Sequence, residues 1–356
     1  MRRWAAVLTA AGLAMTVAAC GSGEAVQADG KPYHHLADGT FRNPPGSPPR
    51  TAGFGDYVSF MARRVTSRTS DVTVPDGHVI PQDQALAGLR AMEGQDTVTW
   101  LGHASFLLHM ADMWVLTDPY LGEVAGPFGF GPRRYVAPGI PIDRLPKIDV
   151  VIISHNHYDH LDAATIEALP NKERMYVFVP LGLGEFFRSR GYRQVFELDW
   201  YSGVVHGDLT ITALPAVHFS RRGPFDRNAT LWAGFAIDDG KSRVYFAGDT
   251  AYGEVFKEIG QKVGPFDLGL IPIGAYLPQS IMKASHVTPE EAVQLADDVG
   301  AARTVGMHWG TVTLTDEEQF EPPQRFRAAA EAAGWSPDRA AIMRIGETWP
   351  LQRPGS

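Results

Sequence analysis

The chain has 356 residues, a formal net charge of −8, 44% hydrophobic residues and one cysteine. An acidic balance leaves no basic footprint for nucleic acid. A single cysteine excludes an internal disulfide framework, so the fold must be held without cross-links between cysteines.

Residues 1–19 have the pattern of an export signal, with Arg2 and Arg3 ahead of the apolar run AAVLTAAGLAMTVAA. The run is short for a bilayer span and a Gly/Pro-rich tract follows it, which argues against a permanent transmembrane helix. VAAC at 17–20 resembles the lipobox of bacterial lipoproteins. That resemblance implies lipidation of Cys20 and a membrane-anchored place in a bacterial cell envelope; an ordinary secretory peptide with an incidental cysteine is the alternative. Residues 20–55 then read as a lipidated N-terminus and tether, 56–95 as an N-terminal extension packing on the core, and 96–348 as the main domain.

From about residue 97 the pattern is strongly structured. TVTWLGHASFLLHM and MWVLTDPYL read as successive strands, and GPFGFGPRRYVAPGIPI at 126–142 as a long loop near the site. In that loop Phe128, Phe130 and Tyr135 either form an apolar lip or cover the core. IDVVIIS supplies a strand, and Asp162 caps a short helix, AATIEAL. RMYVFVP, VFELDW and DLTITALPAVHF give three more strands, with a short helix at GEFFRSR. Asp239-Gly240 marks a hairpin turn and FDLGLIPIG another strand. At HVTPEEAVQLADDVG, Thr288, Pro289 and Glu291 spell a capping box. RTVGMHWG returns to a strand and QRFRAAAEAAGW forms a late helix. Sheets packed with outer helices, an α/β layered protein, follow from this order.

The chemistry concentrates in SHNHYDHLD at 154–162. His155, His157, Asp159 and His160 fall just past an apolar strand, where a tight turn brings imidazoles and a carboxylate together. Further donors recur at strand ends: His218, Asp249 and His308. Five histidines and two carboxylates suffice for two metals. The simplest partition puts His155, His157 and His218 on one ion and Asp159, His160 and His308 on the other, with Asp249 bridging. Such pairs lower the pKa of a bridging water and clamp the attacking and leaving oxygens of an in-line displacement. The donor set suits two Zn²⁺, and also Fe or Mn.

This HxHxDH cluster, followed by a single His, a GDT Asp and a final His, resembles the metallo-β-lactamase superfamily. TWLGHASFLL, VLTDPYL, HNHYDHLD, PIGAY, HVTPEEAV and HWGT narrow the resemblance to the N-acyl-phosphatidylethanolamine-hydrolysing phospholipase D family, over roughly 90–345. The resemblance implies an αβ/βα sandwich, two β-sheets packed between outer helices. It also implies a dizinc phosphodiesterase that attacks glycerophospholipids through a metal-activated hydroxide, with Asp159 helping to orient that hydroxide. True β-lactamases of the superfamily usually carry a Cys ligand, and this chain has none available. A lactonase or other ester hydrolase is the enzymatic alternative, and a non-catalytic metal- or lipid-binding lipoprotein the other.

Around the metals, His103 either faces the site or is a satisfied core histidine within its strand. Asp118 either orients a ligand histidine or shapes the turn before Pro119. His286 resembles the family's additional active-site histidine and is the candidate proton donor to the leaving group, against a surface role beside the helix. Arg221 or Arg222 either meets a phosphate or forms a solvated pair. The partners expected are a phospholipid or other small-molecule ester, a membrane through the lipid anchor, and no nucleic acid.

Overall fold

The computed structural model of the chain describes residues 17–19, 30–66 and 72–351. β1 (Val17–Ala19) lies in the segment that the sequence sets aside as a leader, yet it pairs antiparallel with a sheet edge. An edge offers unpaired N–H and C=O groups to any apolar extended segment. Residues 1–16 and 20–29, Cys20 among them, lie outside the described residues.

Of the two readings the sequence allows for this tract, tether or surface wrap, residues 30–53 take the second. Phe41 is buried and its N–H donates to the Asn228 carbonyl. The Asp199 carboxylate meets His34 Nε2 at 2.6 Å and His35 Nε2 at 2.7 Å, one to each oxygen. Burial alone would raise the Asp199 carboxyl, but the His34 and His35 bonds hold it below its ordinary value. This clasp fastens the wrap to the body. Two helices follow, α1 (Phe54–Thr66) and α2 (Gln82–Ala91), and α2 buries Ala85 and Leu86.

The first sheet is built from β2 (Thr97–Gly102), β3 (Ser105–Met110), β4 (Met113–Thr117) and β5 (Val150–Ile152). Helix α3 (Ala163–Ala168) leads to β6 (Tyr176–Pro180), and α4 (Gly184–Arg188) to β7 (Gln194–Leu198). As the sequence predicts, Asp162 caps α3 by accepting from the Ala164 N–H. The second sheet begins with β8 (Ser202–His206), which the sequence analysis does not resolve, and continues through β9 (Leu209–Leu214), β10 (Gly234–Asp238) and β11 (Arg243–Phe246). Then come α5 (Val255–Lys262), β12 (Phe266–Pro272), α6 (Gln279–Met282), α7 (Pro289–Val299), β13 (Ala301–Met307) and α8 (Pro322–Ala332). Short strands β14 (Ala340–Ala341) and β15 (Thr348–Pro350) close the two sheets.

Among the described residues the strand orders are β15-β2-β3-β4-β5-β6-β7 and β1-β8-β9-β10-β11-β12-β13-β14. Each sheet is antiparallel in its first part and parallel in its second: β4, β5, β6 and β7 run together, as do β11, β12, β13 and β14. Strand alternation builds the layers. Phe106, Leu108, Val150, Ile152 and Phe178 enter one core with Ile211, Phe235, Val244 and Leu268 of the second sheet. Their neighbours Leu107, Val151, Val177 and Val179 face a second core with Ile166 of α3 and Phe187 of α4. On the other side Phe256, Leu295 and Phe326 bring α5, α7 and α8 onto the first core. The architecture is therefore two mixed sheets flanked by helices, the sandwich that the sequence resemblance implies. Thr288 and Glu291 complete their reciprocal capping box on α7, and Gly300 ends that helix at φ 73°. No helix among the described residues is long and apolar enough to cross a membrane.

The sequence puts His103 inside a strand, but the chain turns there. Gly102 has φ 107° and His103 φ 55°, which makes the turn joining β2 to β3. Trp100, fully buried, fixes this turn: its Nε1 donates to the His103 carbonyl at 2.9 Å and its ring packs 5.4 Å from that of Trp309. Replacing Trp100 with Ala should cost about 3–5 kcal/mol of unfolding free energy in urea titrations. Trp100→Phe, which keeps most of the packing, should cost clearly less; equal losses would show that the indole hydrogen bond rather than ring volume carries the effect.

Candidate metal centre

Chemically active side chains gather where strands end. Asp118 follows β4, His155 lies just beyond β5, Asp249 just beyond β11 and His308 directly after β13, so parallel strands of both sheets deliver donors to one edge. His218 arrives from the segment after β9, and His103 from the β2–β3 turn.

Two groups result. His155, His157, His218 and Asp249 bring one ligand atom each within 4.8 Å of one another, and so do His103, Asp159, His160 and His308. In the first group His157 Nδ1 lies 2.8 Å from His155 Nε2 and 3.2 Å from His218 Nε2. Asp249 Oδ2 joins the groups: it is 3.1 Å from Nε2 of both His160 and His308, and 3.9 Å from Nε2 of both His155 and His218. Asp159 Oδ2 is 3.5 Å from His160 Nε2 and from His308 Nε2. The seven donors named from sequence are thus brought together, and His103 joins the second group.

The residues fit divalent metal. Asp249 Oδ1, His160 Nε2 and His308 Nε2 are buried without a hydrogen-bond partner, and they converge on the same small volume. Outer partners direct the lone pairs inward. Asp118 Oδ2 takes His160 Nδ1 at 2.6 Å, and the Ser285 carbonyl takes His218 Nδ1 at 2.8 Å. His155 Nδ1 meets Ser154 Oγ at 2.8 Å, and that hydroxyl donates to Asp118 Oδ2. Each of these three histidines consequently presents Nε2 to the centre.

Protonation divides the two groups. Burial drives His155 and His218 well below the ordinary imidazole value, and His157 down to about 4. The same burial acts on His160 and His308, but carboxylates outweigh it. Asp249, Asp159 and Asp118 hold His160 well above its ordinary value, and Asp249 with Asp159 raises His308 to about 9. Without metal, protons on these two histidines balance Asp159 and Asp249, whose own carboxyls stay well below the usual range despite burial.

The remaining sequence candidates separate. His103 is buried, with Nε2 3.0 Å from Asp159 Oδ2 and its backbone N–H on Thr311 Oγ1, so it joins the second group rather than packing passively in a strand. His286 Nδ1 lies 4.0 Å from Asp249 Oδ2, and burial lowers its pKa to about 4. A neutral imidazole at that position carries an N–H that can donate a hydrogen bond. Arg222 is occupied elsewhere: its Nη1 donates to the carbonyls of Asn156 and Leu161, and its guanidinium lies 3.9 Å from the Tyr158 ring centroid. It braces the ligand loop. Arg221 is exposed and gives its Nε to the Gly223 carbonyl. Phe128 and Phe130 are exposed, while Tyr135 is half-buried.

Several residues escaped sequence analysis. Ser154 adjoins His155, a cue that its hydroxyl could serve the ring. Ser285 acts through its carbonyl, which carries no side-chain signal. Asn43 Oδ1 accepts the backbone N–H of His218 at 2.9 Å, from within a Gly/Pro tract that reads as a tether. Glu317, buried, accepts from the N–H groups of Ala275 and Leu277 and so holds the strand exit after β12.

Comparison with known proteins bears on this geometry. Residues 113–309 match the β-lactamase superfamily domain. The chain is 39% identical over 265 residues to N-acyl-phosphatidylethanolamine-hydrolyzing phospholipase D 1 of Caenorhabditis elegans, covering 70% of this chain and 74% of that protein. It is 43% identical over 269 residues to an uncharacterized protein of Mycobacterium tuberculosis, covering 71% and 72%. A possible metal-dependent hydrolase from Veillonella parvula shares the fold, with a TM-score of 0.58 at 18% identity over 72% of this chain and all of that one.

Metal uptake should show the division between the groups. Binding at the His160–His308 group displaces protons, so its affinity should rise by about tenfold per pH unit for each proton released across the range below the His308 value of about 9. Binding at the His155–His157–His218 group should depend less on pH. Chelator competition between pH 6.5 and 8.5 measures both, and two equally pH-insensitive affinities would contradict the assignment. Elemental analysis should find Asp249→Ala depleted in both groups and His218→Ala mainly in one.

Proposed function

The chain belongs to the β-lactamase superfamily of metallohydrolases and is a relative of N-acyl-phosphatidylethanolamine-hydrolysing phospholipase D, and from that premise we propose a binuclear, zinc-dependent phosphodiesterase of phospholipase D type. Its substrates are N-acyl-phosphatidylethanolamine or related glycerophospholipids. The observation that carries the proposal is the bridged donor array itself, Asp249 Oδ2 standing between two histidine groups, in a chain 39% identical to a named phospholipase D.

His155, His157 and His218 would hold one ion and Asp159, His160 and His308 the other, with Asp249 shared. Two such ions supply Lewis acidity that lowers the pKa of water and offsets charge developing at phosphorus. The protein's own groups prepare the site. Asp118, Ser154 and the Ser285 carbonyl lock the ligand tautomers, and His103 orients Asp159 through its 3.0 Å contact. His286, neutral and beside Asp249, offers an N–H to a phosphoryl or leaving-group oxygen. A lactonase would use the same donors; the phospholipase D relatives favour the phosphodiester reading. Lipidation at Cys20 belongs to the same proposal, because an anchor confines enzyme and lipid to one surface and raises their effective concentration.

Wild type and His157→Ala should be compared on bis(p-nitrophenyl) phosphate, N-acyl-phosphatidylethanolamine and a lactone. Metal-dependent release of phosphatidic acid, lost in His157→Ala, is expected; lactone turnover with neither phosphodiester cleaved would select the ester hydrolase. Intact mass of detergent-extracted protein should show a chain beginning at Cys20 with added acyl mass, and an unmodified chain beginning elsewhere would refute the anchor. If His286 assists the leaving group, His286→Ala should keep its metal and lose about 10²-fold in kcat with an alkoxide leaving group. The loss should be smaller with p-nitrophenolate.

A further inference from the structure

Two arginines beside the centre have no evident structural duty. Phe219 follows ligand His218, and its half-buried ring lies 4.6 Å from the ring of His157 and 4.9 Å from that of His218. Over this one ring lie two guanidinium groups, that of Arg50 at 4.7 Å from the centroid and that of Arg227 at 4.5 Å. Arg50 comes from the N-terminal wrap and Arg227 from the loop after the ligand histidine, so the fold brings them together from distant parts of the chain.

The other stacked arginines each have an acceptor: Arg42, Arg134, Arg222 and Arg303 give guanidinium N–H groups to backbone carbonyls, and three more meet carboxylates. Arg190, over Phe186, has Glu167 at 3.0 Å; Arg325, over Tyr276, has Glu290 at 2.8 Å; Arg339, over Trp335, has Asp297 at 2.6 Å. No carboxylate among the described residues pairs with Arg50 or Arg227. Arg227 Nη2 is moreover buried without a hydrogen-bond partner. A guanidinium N–H withdrawn from water and given no acceptor is costly, and two cations held at one ring repel; a bound anion relieves both. The planar fork of arginine suits phosphate oxygens, which it can take in pairs.

We propose that Arg50 and Arg227, on the shared platform of Phe219, form an anion subsite beside the His155–His157–His218 group that takes the phosphate of a phosphate ester. The subsite replaces the Arg221–Arg222 pair as the place where a phosphate meets cationic side chains. Only the choice of phosphate esters over other anions rests on the phosphodiesterase proposal. Arg50 also lies near Tyr57 of α1, and Phe54, Tyr57, Val58 and Met61 of that helix are exposed. Esters with and without acyl chains therefore need separate probes.

The test is equilibrium binding to metal-loaded, full-length protein by calorimetry, with sn-glycerol 3-phosphate and dihexanoyl phosphatidic acid as probes. Arg227→Gln should weaken the binding of a phosphate ester by about tenfold, Arg50→Gln by less, and Arg227→Lys should recover part of the loss. Metal content from elemental analysis should stay at the wild-type value in every variant. Loss with both probes assigns the subsite to phosphate esters in general; loss with the acylated probe alone assigns it to a lipid headgroup. Unchanged affinity for both probes in the Arg50→Gln/Arg227→Gln protein would overturn the proposal, whatever the enzyme hydrolyses. If the variants lose affinity while no phosphodiester is cleaved by wild type, the subsite stands and the phosphodiesterase reading falls. Should Arg227→Gln fail to fold, Arg50→Gln and Arg227→Lys carry the same comparison.

Discussion

The rest of the site depends on one carboxylate. Asp249 is buried among His155, His160, His218, His286 and His308, and its Oδ2 lies within 4.0 Å of a ring nitrogen on each. An ionised carboxyl in so dry a place needs positive charge close by. Protons on His160 and His308 supply it in part, and divalent metal supplies it better, because a metal also satisfies the histidine lone pairs that face one another. Much of the surrounding structure keeps those lone pairs aimed. Asp118 at the end of β4 reaches both His160 and Ser154, so a residue of one strand end sets two members of the cluster after β5.

The sandwich suits this task. Parallel strands point their C-terminal ends the same way, and the two sheets bring β4 and β5 to face β11 and β13 across one core. Donors placed just after those strands meet without long excursions of chain. Tight turns finish the positioning: Asp118 and His308 both have positive φ, at 34° and 63°. Such backbones cost energy and persist only where the surroundings enforce them. At His308 the enforcing contacts include its N–H on the His103 carbonyl, which ties the β2–β3 turn to the strand that carries the last ligand.

Most of the donor set was legible because each member follows an apolar run, and a polar ligand at a strand end leaves a local mark. The capping residues Asp162 and Thr288 were legible for the same reason. What the sequence hid depends on contacts distant along the chain. β8 goes unread because Gly203 and His206 break its alternation, and pairing with β9 and β1 makes it a strand. His103 looked like a strand residue because Gly102 alone marks the turn locally, and the contacts that hold it, from Trp100 and Thr311, lie outside that mark. The tract at 30–53 read as either a tether or a surface wrap because its composition is poor in apolar residues. Its hold comes from His34, His35 and Asn43, each meeting a partner far along the chain. Arg221 and Arg222 read as either a phosphate contact or a solvated pair from their place after His218, whereas carbonyls from the ligand loop claim Arg222.

Anomalous diffraction from crystals of the metal-loaded protein tests the bridged centre most directly. The account predicts two peaks about 3.5–4 Å apart, one among His155, His157 and His218, the other among Asp159, His160 and His308, with Asp249 between them. A single peak, or two with Asp249 bound to neither, would contradict it.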